Sequence, residues 1–180
     1  MQEFSPKRLI IDQVNAAKIC SLIAAIFLPF SSILDYYIYP QCFVEFFFLW
    51  FILVVWCLFI FFLTCLKMKQ YPKLYILSMG GAISFVFSIM GNLGNEGYQS
   101  DYYIGIIEVM FTVVMTPFNT REFIFFLTFI YSIYLTTMHF IYPVPYTQRY
   151  FVENNIFLIE SIMMLSCAHY YISSLRKKLA

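Results

Sequence analysis

The chain has 180 residues, of which 62% are hydrophobic, 22% aromatic and only 12% charged, with a formal net charge of +1. Soluble domains carry about 25% charged residues, so the polar surface that would cover a soluble core is missing and the composition points to an all-α, polytopic membrane protein. A basic surface for nucleic acid is excluded, and five cysteines without CxxC spacing argue against a disulfide framework or a zinc site.

Residues 1–18 read as a cytoplasmic lead with Lys7, Arg8 and Lys18, able to lie on the membrane surface as an amphipathic helix after Pro6. Basic residues before the apolar run from Ile19 also fit a secretory signal. No small-residue cleavage site precedes Asp35, and further spans follow, so a retained first span is expected, kinked at Pro29. DYYIYPQC, Asp35 to Cys42, reads as an outer connector rich in interfacial tyrosine. The second span, Glu45 to Leu66, is apolar on every side and should largely face lipid. After Lys67, Lys69 and Lys73, the third span, Leu74 to Leu93, places Gly80, Ser84 and Ser88 four residues apart. That spacing predicts a small-residue face that lets another helix approach closely.

The turn GNLGNEGYQSD, Gly91 to Asp101, leads to a fourth span from Tyr102 to about Pro117 that contains Glu108. Asn119 or Thr120 is placed to cap the fifth span, Phe123 to Tyr142, which ends with His139. The sixth span, Ile156 to Leu175, follows the polar pair Asn154 and Asn155, carries Glu160, and leaves through Arg176, Lys177 and Lys178. The domain reading is therefore a lead at 1–18, a six-helix membrane domain at 19–175 and the start of a cytoplasmic tail or transmitter at 176–180.

Charge sets the expected orientation. With both termini cytoplasmic, the inner segments hold Lys7, Arg8, Lys18, Lys67, Lys69, Lys73, Arg121, Arg176, Lys177 and Lys178, and the outer loops hold only Arg149. This bias matches the positive-inside rule for a multi-pass protein of a cell's inner (plasma) membrane. Asp35, Glu45, Glu96, Asp101 and Glu153 then make the outer mouth acidic.

Carboxylates inside membrane spans are costly and mark candidate sites. Glu108 and Glu160 both fall roughly 10 Å below the outer surface at 1.5 Å per residue. One reading is an outward-opening ligand pocket lined by Glu108, Glu160, Asn154, Asn155, Tyr102, Tyr103 and His139, suited to a cation or a hydrogen-bonding small molecule. The other is that each carboxyl, kept protonated, holds helices or protomers together. His139 and His169 differ in depth by roughly 20 Å, so they cannot share one haem within a protomer. No cofactor or metal is expected, and hydrolase, metalloprotease and phosphate-loop motifs are absent, so the chain is read as non-enzymatic.

DYYIYP at Asp35 to Pro40 follows the first span, GYQSDYYIG at Gly97 to Gly105 enters the fourth and FVENNIFL at Phe151 to Leu158 enters the sixth. In order and spacing the chain resembles the six-helix N-terminal sensor domains (MASE-like) of bacterial histidine kinases, class III adenylate and guanylate cyclases and diguanylate cyclases. The resemblance implies a module in contact with membrane lipids that dimerises and passes its state through the last helix to a cyclase or kinase output. Ser173 to Ala180 would begin that transmitter. No kinase or cyclase sequence lies within the 180 residues, so the output is expected in a longer chain or in a separate partner. A small channel or transporter subunit, or a structural membrane anchor, is the alternative reading of the same spans.

Overall fold

Proline sets three of the starts in this chain. Pro6 and Pro72 are the first residues of α-helices and Pro40 the first of a 3₁₀ turn, positions where the missing N–H would have had no intrahelical partner anyway. In the computed structural model, which describes residues 6–66, 71–93, 102–114, 116–141 and 149–179, the described chain is almost wholly helical. The elements are α1 (Pro6–Ile38), the 3₁₀ turn Pro40–Cys42, α2 (Phe43–Cys65), α3 (Pro72–Leu93), α4 (Tyr102–Val114), α5 (Thr120–Ile141) and α6 (Arg149–Leu179). Residues 67–70, 94–101 and 142–148, with Lys67, Lys69, Glu96 and Asp101, lie outside the described residues.

All helices but α4 are long and apolar enough to cross a membrane, five in number among the described residues. Apart from α6, which begins at Arg149, seven residues before the expected Ile156, and so contains Asn154 and Asn155, their bounds fall within a few residues of the sequence reading except at two places. The lead at 1–18 is not separate from the first span, because α1 runs unbroken from Pro6 and passes through Pro29 to Ile38. Nothing in Pro6 to Ile19 breaks a helix, and a stripe of Gln13, Val14, Ala17, Ser21, Ala25 and Leu28 continues along its buried face. The connector expected from Asp35 is correspondingly shorter: Asp35 lies in the last turn of α1 and is 5% exposed, so it does not belong to an outer loop.

The second difference is α4, which is helical for only 13 residues and ends at Val114 rather than near Pro117. Thr116 folds back, its N–H and hydroxyl both donating to the Val113 carbonyl at 3.0 and 2.5 Å. The helix and the segment after it nevertheless reach along most of α1. Tyr102 Oη donates to Asp35 Oδ1 at 2.7 Å, and Gln13 Nε2 donates to the Pro117 carbonyl at 3.0 Å. Gln13 and Asp35 are 22 residues apart on one helix, about 33 Å at 1.5 Å per residue. Hence α4 with residues 116–117 runs antiparallel to the part of α1 between Asp35 and Gln13.

The small-residue face of α3 lies where its spacing placed it. In α3, 61% of the membrane-length stretch is buried, against 22–39% in the other four spans, which makes it the central helix, packed on α1, α2, α4 and α5. Gly80 faces α5 so closely that an added Cβ would stand 2.7 Å from Phe126 Cζ and 3.1 Å from Ile130 Cδ1. Ser84 Oγ donates across the same contact to the Ile130 carbonyl at 3.1 Å. By contrast α2 exposes Phe47, Phe48, Phe51, Ile52, Val55 and Phe59, as its all-round apolarity predicted. It buries a stripe of Phe46, Trp50, Leu53, Cys57 and Ile60, chiefly against α1. The alternation of four and three in that stripe is the knobs-into-holes spacing of two helices lying side by side.

The turn into α5 is closed by a reciprocal cap. Asn119 Oδ1 accepts from the Glu122 N–H at 2.9 Å, and Glu122 Oε2 accepts from the Asn119 N–H at 3.3 Å, which is a capping box with asparagine in the first position. Glu122 also pairs with Lys73 Nζ at 2.5 Å, tying the start of α5 to the start of α3.

Candidate functional site

Trp50, Asp35 and Tyr102 come from three helices and meet at the end of the bundle where α1 passes into α2. Trp50 Nε1 donates to Asp35 Oδ2 at 2.5 Å, while Tyr102 Oη takes Oδ1. The two carboxylate oxygens are thus held by two neutral donors, and among the described residues no lysine or arginine pairs with Asp35. Aromatic rings close around it: Tyr39 stacks on Tyr102 at 5.9 Å, Phe46 meets Tyr102 edge-on at 5.8 Å, and Phe87 of α3 meets Trp50 at 5.5 Å. A carboxylate in an apolar surround requires such donors. The node therefore locks α1, α2 and α4 together at this end.

Below the node, α1 and α4 part. They are joined at both ends, by Asp35 with Tyr102 and by Gln13 with Pro117, and between these points a cleft of about 540 Å³ opens, floored by α3. Its walls are apolar, formed by Ile19, Ile23, Phe27 and Leu28 of α1, Ile76, Met79, Ile83 and Phe87 of α3, and Val109 and Val113 of α4. The polar side chains on it are Cys20, Ser31 and Glu108. Glu108 is exposed and has no hydrogen-bond or ion-pair partner among the described residues. It is the single ionisable carboxylate lining this cleft. Gly105 allows α4 to lie on α3 here, since an added Cβ would overlap the Phe87 ring.

The seven residues expected to line one pocket are not brought together. Tyr102 belongs to the Asp35 node and Glu108 to the cleft. Asn154 and Asn155 are buried between α6 and its neighbours, where Asn155 Oδ1 accepts from Tyr131 Oη of α5 at 2.8 Å and Nδ2 donates to the Phe151 carbonyl at 2.6 Å. Tyr103 joins α4 to α6 through an edge-on contact with Phe157 at 6.4 Å. Glu160 and His139 are exposed, and neither lines the cleft.

The two glutamates do lie at one level. Starting from the Tyr103–Phe157 contact, Glu108 is five residues down α4 and Glu160 three down α6, so their heights differ by about 3 Å. They point apart. α6 buries Leu158, Ser161, Leu165 and His169 against the bundle, and Glu160 stands on its opposite side. A helix turns 100° per residue, so equal depth does not bring two side chains together.

Asp35 is the residue that reading the sequence missed, and the signal for it was present. Ser21, Leu28 and Asp35 follow one another at intervals of seven, and no proline interrupts the helix between Pro29 and Pro40. The two histidines are as far apart as their positions implied. His169 stacks on Phe123 at 4.1 Å with the rings nearly parallel, while His139 is 16 residues further along α5, about 24 Å. Among the described residues no group of three or more His, Cys, Asp or Glu side chains is placed to hold a metal ion. No protein-family model, curated protein or solved structure matches the chain.

Proposed function

We propose that this chain is a membrane-embedded sensor module that is not itself catalytic. It crosses the bilayer six times with both termini in the cytoplasm, α4 and residues 116–117 completing the fourth crossing. The reading draws on the distribution of Lys and Arg and on the resemblance of DYYIYP, GYQSDYYIG and FVENNIFL to six-helix sensor domains. On it the module works as a homodimer in the bacterial inner membrane and relays its state through α6 to a cyclase or kinase, in the same chain or in a partner.

The observation that carries the proposal is the position of α4. One side of α4 lines the cleft through Gly105, Glu108, Val109 and Val113, and another touches α6 through Tyr103 and Phe157. It is also the shortest of the helices. An occupant that changes the separation of α1 and α4 therefore acts on the helix against which α6 rests. α6 continues as a helix beyond its apolar stretch, to Leu179. The relay is limited to the difference in the occupant's affinity for the two arrangements.

The test is a fusion of residues 1–180 to a cyclase catalytic domain in a cyclase-deficient bacterium. Cyclase output should change when the cleft is filled by Ala24→Trp and stay at the parent level for a control substitution at Phe48 on the lipid face of α2. Equal output from all three proteins, at equal amounts in the membrane, would refute the relay. Ion flux through the purified chain in liposomes with no change in fused output would favour a channel subunit instead.

A further inference from the structure

We infer that the α1/α4 cleft is a binding site for an amphiphilic amine, a molecule with one protonated nitrogen on an apolar body, and that Glu108 is the residue that recognises the nitrogen. The inference rests on reading this cleft as the input of the module, and it supplies the chemistry of the occupant.

The cleft has the size of a small-molecule site, and on the proposed six-span topology a membrane-dissolved molecule would enter it between α1 and α4 without crossing water. Its walls decide against a polar solute or a hydrated ion, because an apolar lining offers nothing to replace lost hydration. The carboxylate decides the rest. Glu108 has no cation or donor among the described residues to compensate it, and a carboxylate in such surroundings is costly unless paired. An uncharged acyl chain would leave it unmet, and an anionic amphiphile would be repelled. An ammonium group supplies both the opposite charge and the hydrogen-bond donors.

The arrangement along the cleft also has the polarity of an amphiphile. Ser31 lies one turn from Asp35 on α1, and Glu108 lies six residues, about 9 Å, from Tyr102 on α4, so both are toward the Asp35 end. From Ser31 to Ile19 the α1 wall then runs for about 18 Å, with Ile23, Phe27 and, on α3, Ile76 and Met79 along the way. An amine held at Glu108 would lay its tail toward Ile19. Phe87 lines the cleft and touches Trp50 at 5.5 Å, so the indole reports on occupancy.

The experiment uses the whole chain with Trp56→Phe, leaving Trp50 as its single indole, in phosphatidylcholine nanodiscs titrated with dodecylamine, dodecanol or dodecanoate at pH 7. Trp50 emission should change saturably with the amine, at roughly tenfold lower concentration than with the alcohol, and should not respond to the carboxylate. Glu108→Gln should bring the amine to the level of the alcohol, and the alcohol response itself shows that this variant is folded. Glu108→Asp should restore much of the preference, and Glu160→Gln should keep all of it. Equal responses to amine and alcohol, an amine preference that survives Glu108→Gln, or one lost equally in Glu160→Gln would overturn the assignment. Glu108-dependent binding with a flat cyclase output in the fusion would overturn the sensor reading alone. An output that responds to cleft filling without any amine preference would overturn the ligand class alone.

Discussion

Asp35 shows how much one polar side chain can hold in an apolar bundle. Its two oxygens satisfy the Trp50 indole and the Tyr102 hydroxyl, and Asp35→Ala would take this acceptor from the buried indole and from the half-buried hydroxyl. Each buried orphan costs about 1–3 kcal/mol, so the alanine variant should lose about 2–4 kcal/mol of stability, read as earlier thermal unfolding in nanodiscs. Asp35→Asn keeps an acceptor for one donor and should lose about half as much. Equal melting of all three proteins would show that the node holds nothing. Asn119 acts at the other end of the molecule, where its side chain caps α5. Asn119→Ala should cost about 1 kcal/mol, with Asn119→Asp close to the parent, and the same melting experiment separates them. The Lys73–Glu122 pair is partly solvent-exposed and Lys73→Ala should move stability by less than about 1 kcal/mol.

At the scale of the helices, the contrast between α2 and α3 is one of side-chain size. α2 carries bulky residues on all sides and uses only one stripe of them against the protein. α3 replaces bulk with Gly80, Gly81, Ser84 and Ser88, so α5 can come close enough for a serine hydroxyl to reach a carbonyl on the neighbouring helix. With lipid as apolar as leucine, it is this closeness of packing that favours helix association in a bilayer. Gly80→Leu should therefore separate α3 from α5 and cost about 1–3 kcal/mol through overpacking. Phe85→Leu on the exposed side of the same helix should cost far less. Resistance to unfolding in a denaturing detergent, compared between the two variants, checks this, and equal resistance would mean that the close approach does not matter.

For the whole molecule, the proposal of six crossings depends on α4 and residues 116–117 following α1 from Asp35 to Gln13, and this has a direct consequence for accessibility. A single cysteine at Asn119 should be labelled from the same side of sealed vesicles as one at Gln2, and a cysteine at Glu45 from the opposite side, in a chain with its own five cysteines replaced. Labelling of Asn119 and Glu45 from one side would remove the fourth crossing and with it the shared cytoplasmic location of the termini. The cleft belongs to this scale too, because it exists only where α1 and α4 are joined at both ends and separated between them.

Composition and the spacing of charges determined on their own that the chain is helical and apolar enough for a membrane, and they located the bounds of α2, α3 and α5 to within a few residues, while α1 and α6 begin well before the expected Ile19 and Ile156. The small-residue face of α3 was legible as well, since Gly80, Ser84 and Ser88 differ in size from everything around them. What faces what was decided only by the tertiary structure. Inside a bilayer the surface toward lipid and the surface toward protein are equally apolar, so the stripe of Phe46, Trp50, Leu53 and Cys57 on α2 carries no contrast of polarity to mark it. For the same reason the common level of Glu108 and Glu160 could be counted from the chain while their directions could not. It took the packing of α4 against α3 and α6 to place one on a cleft and the other on an outer face.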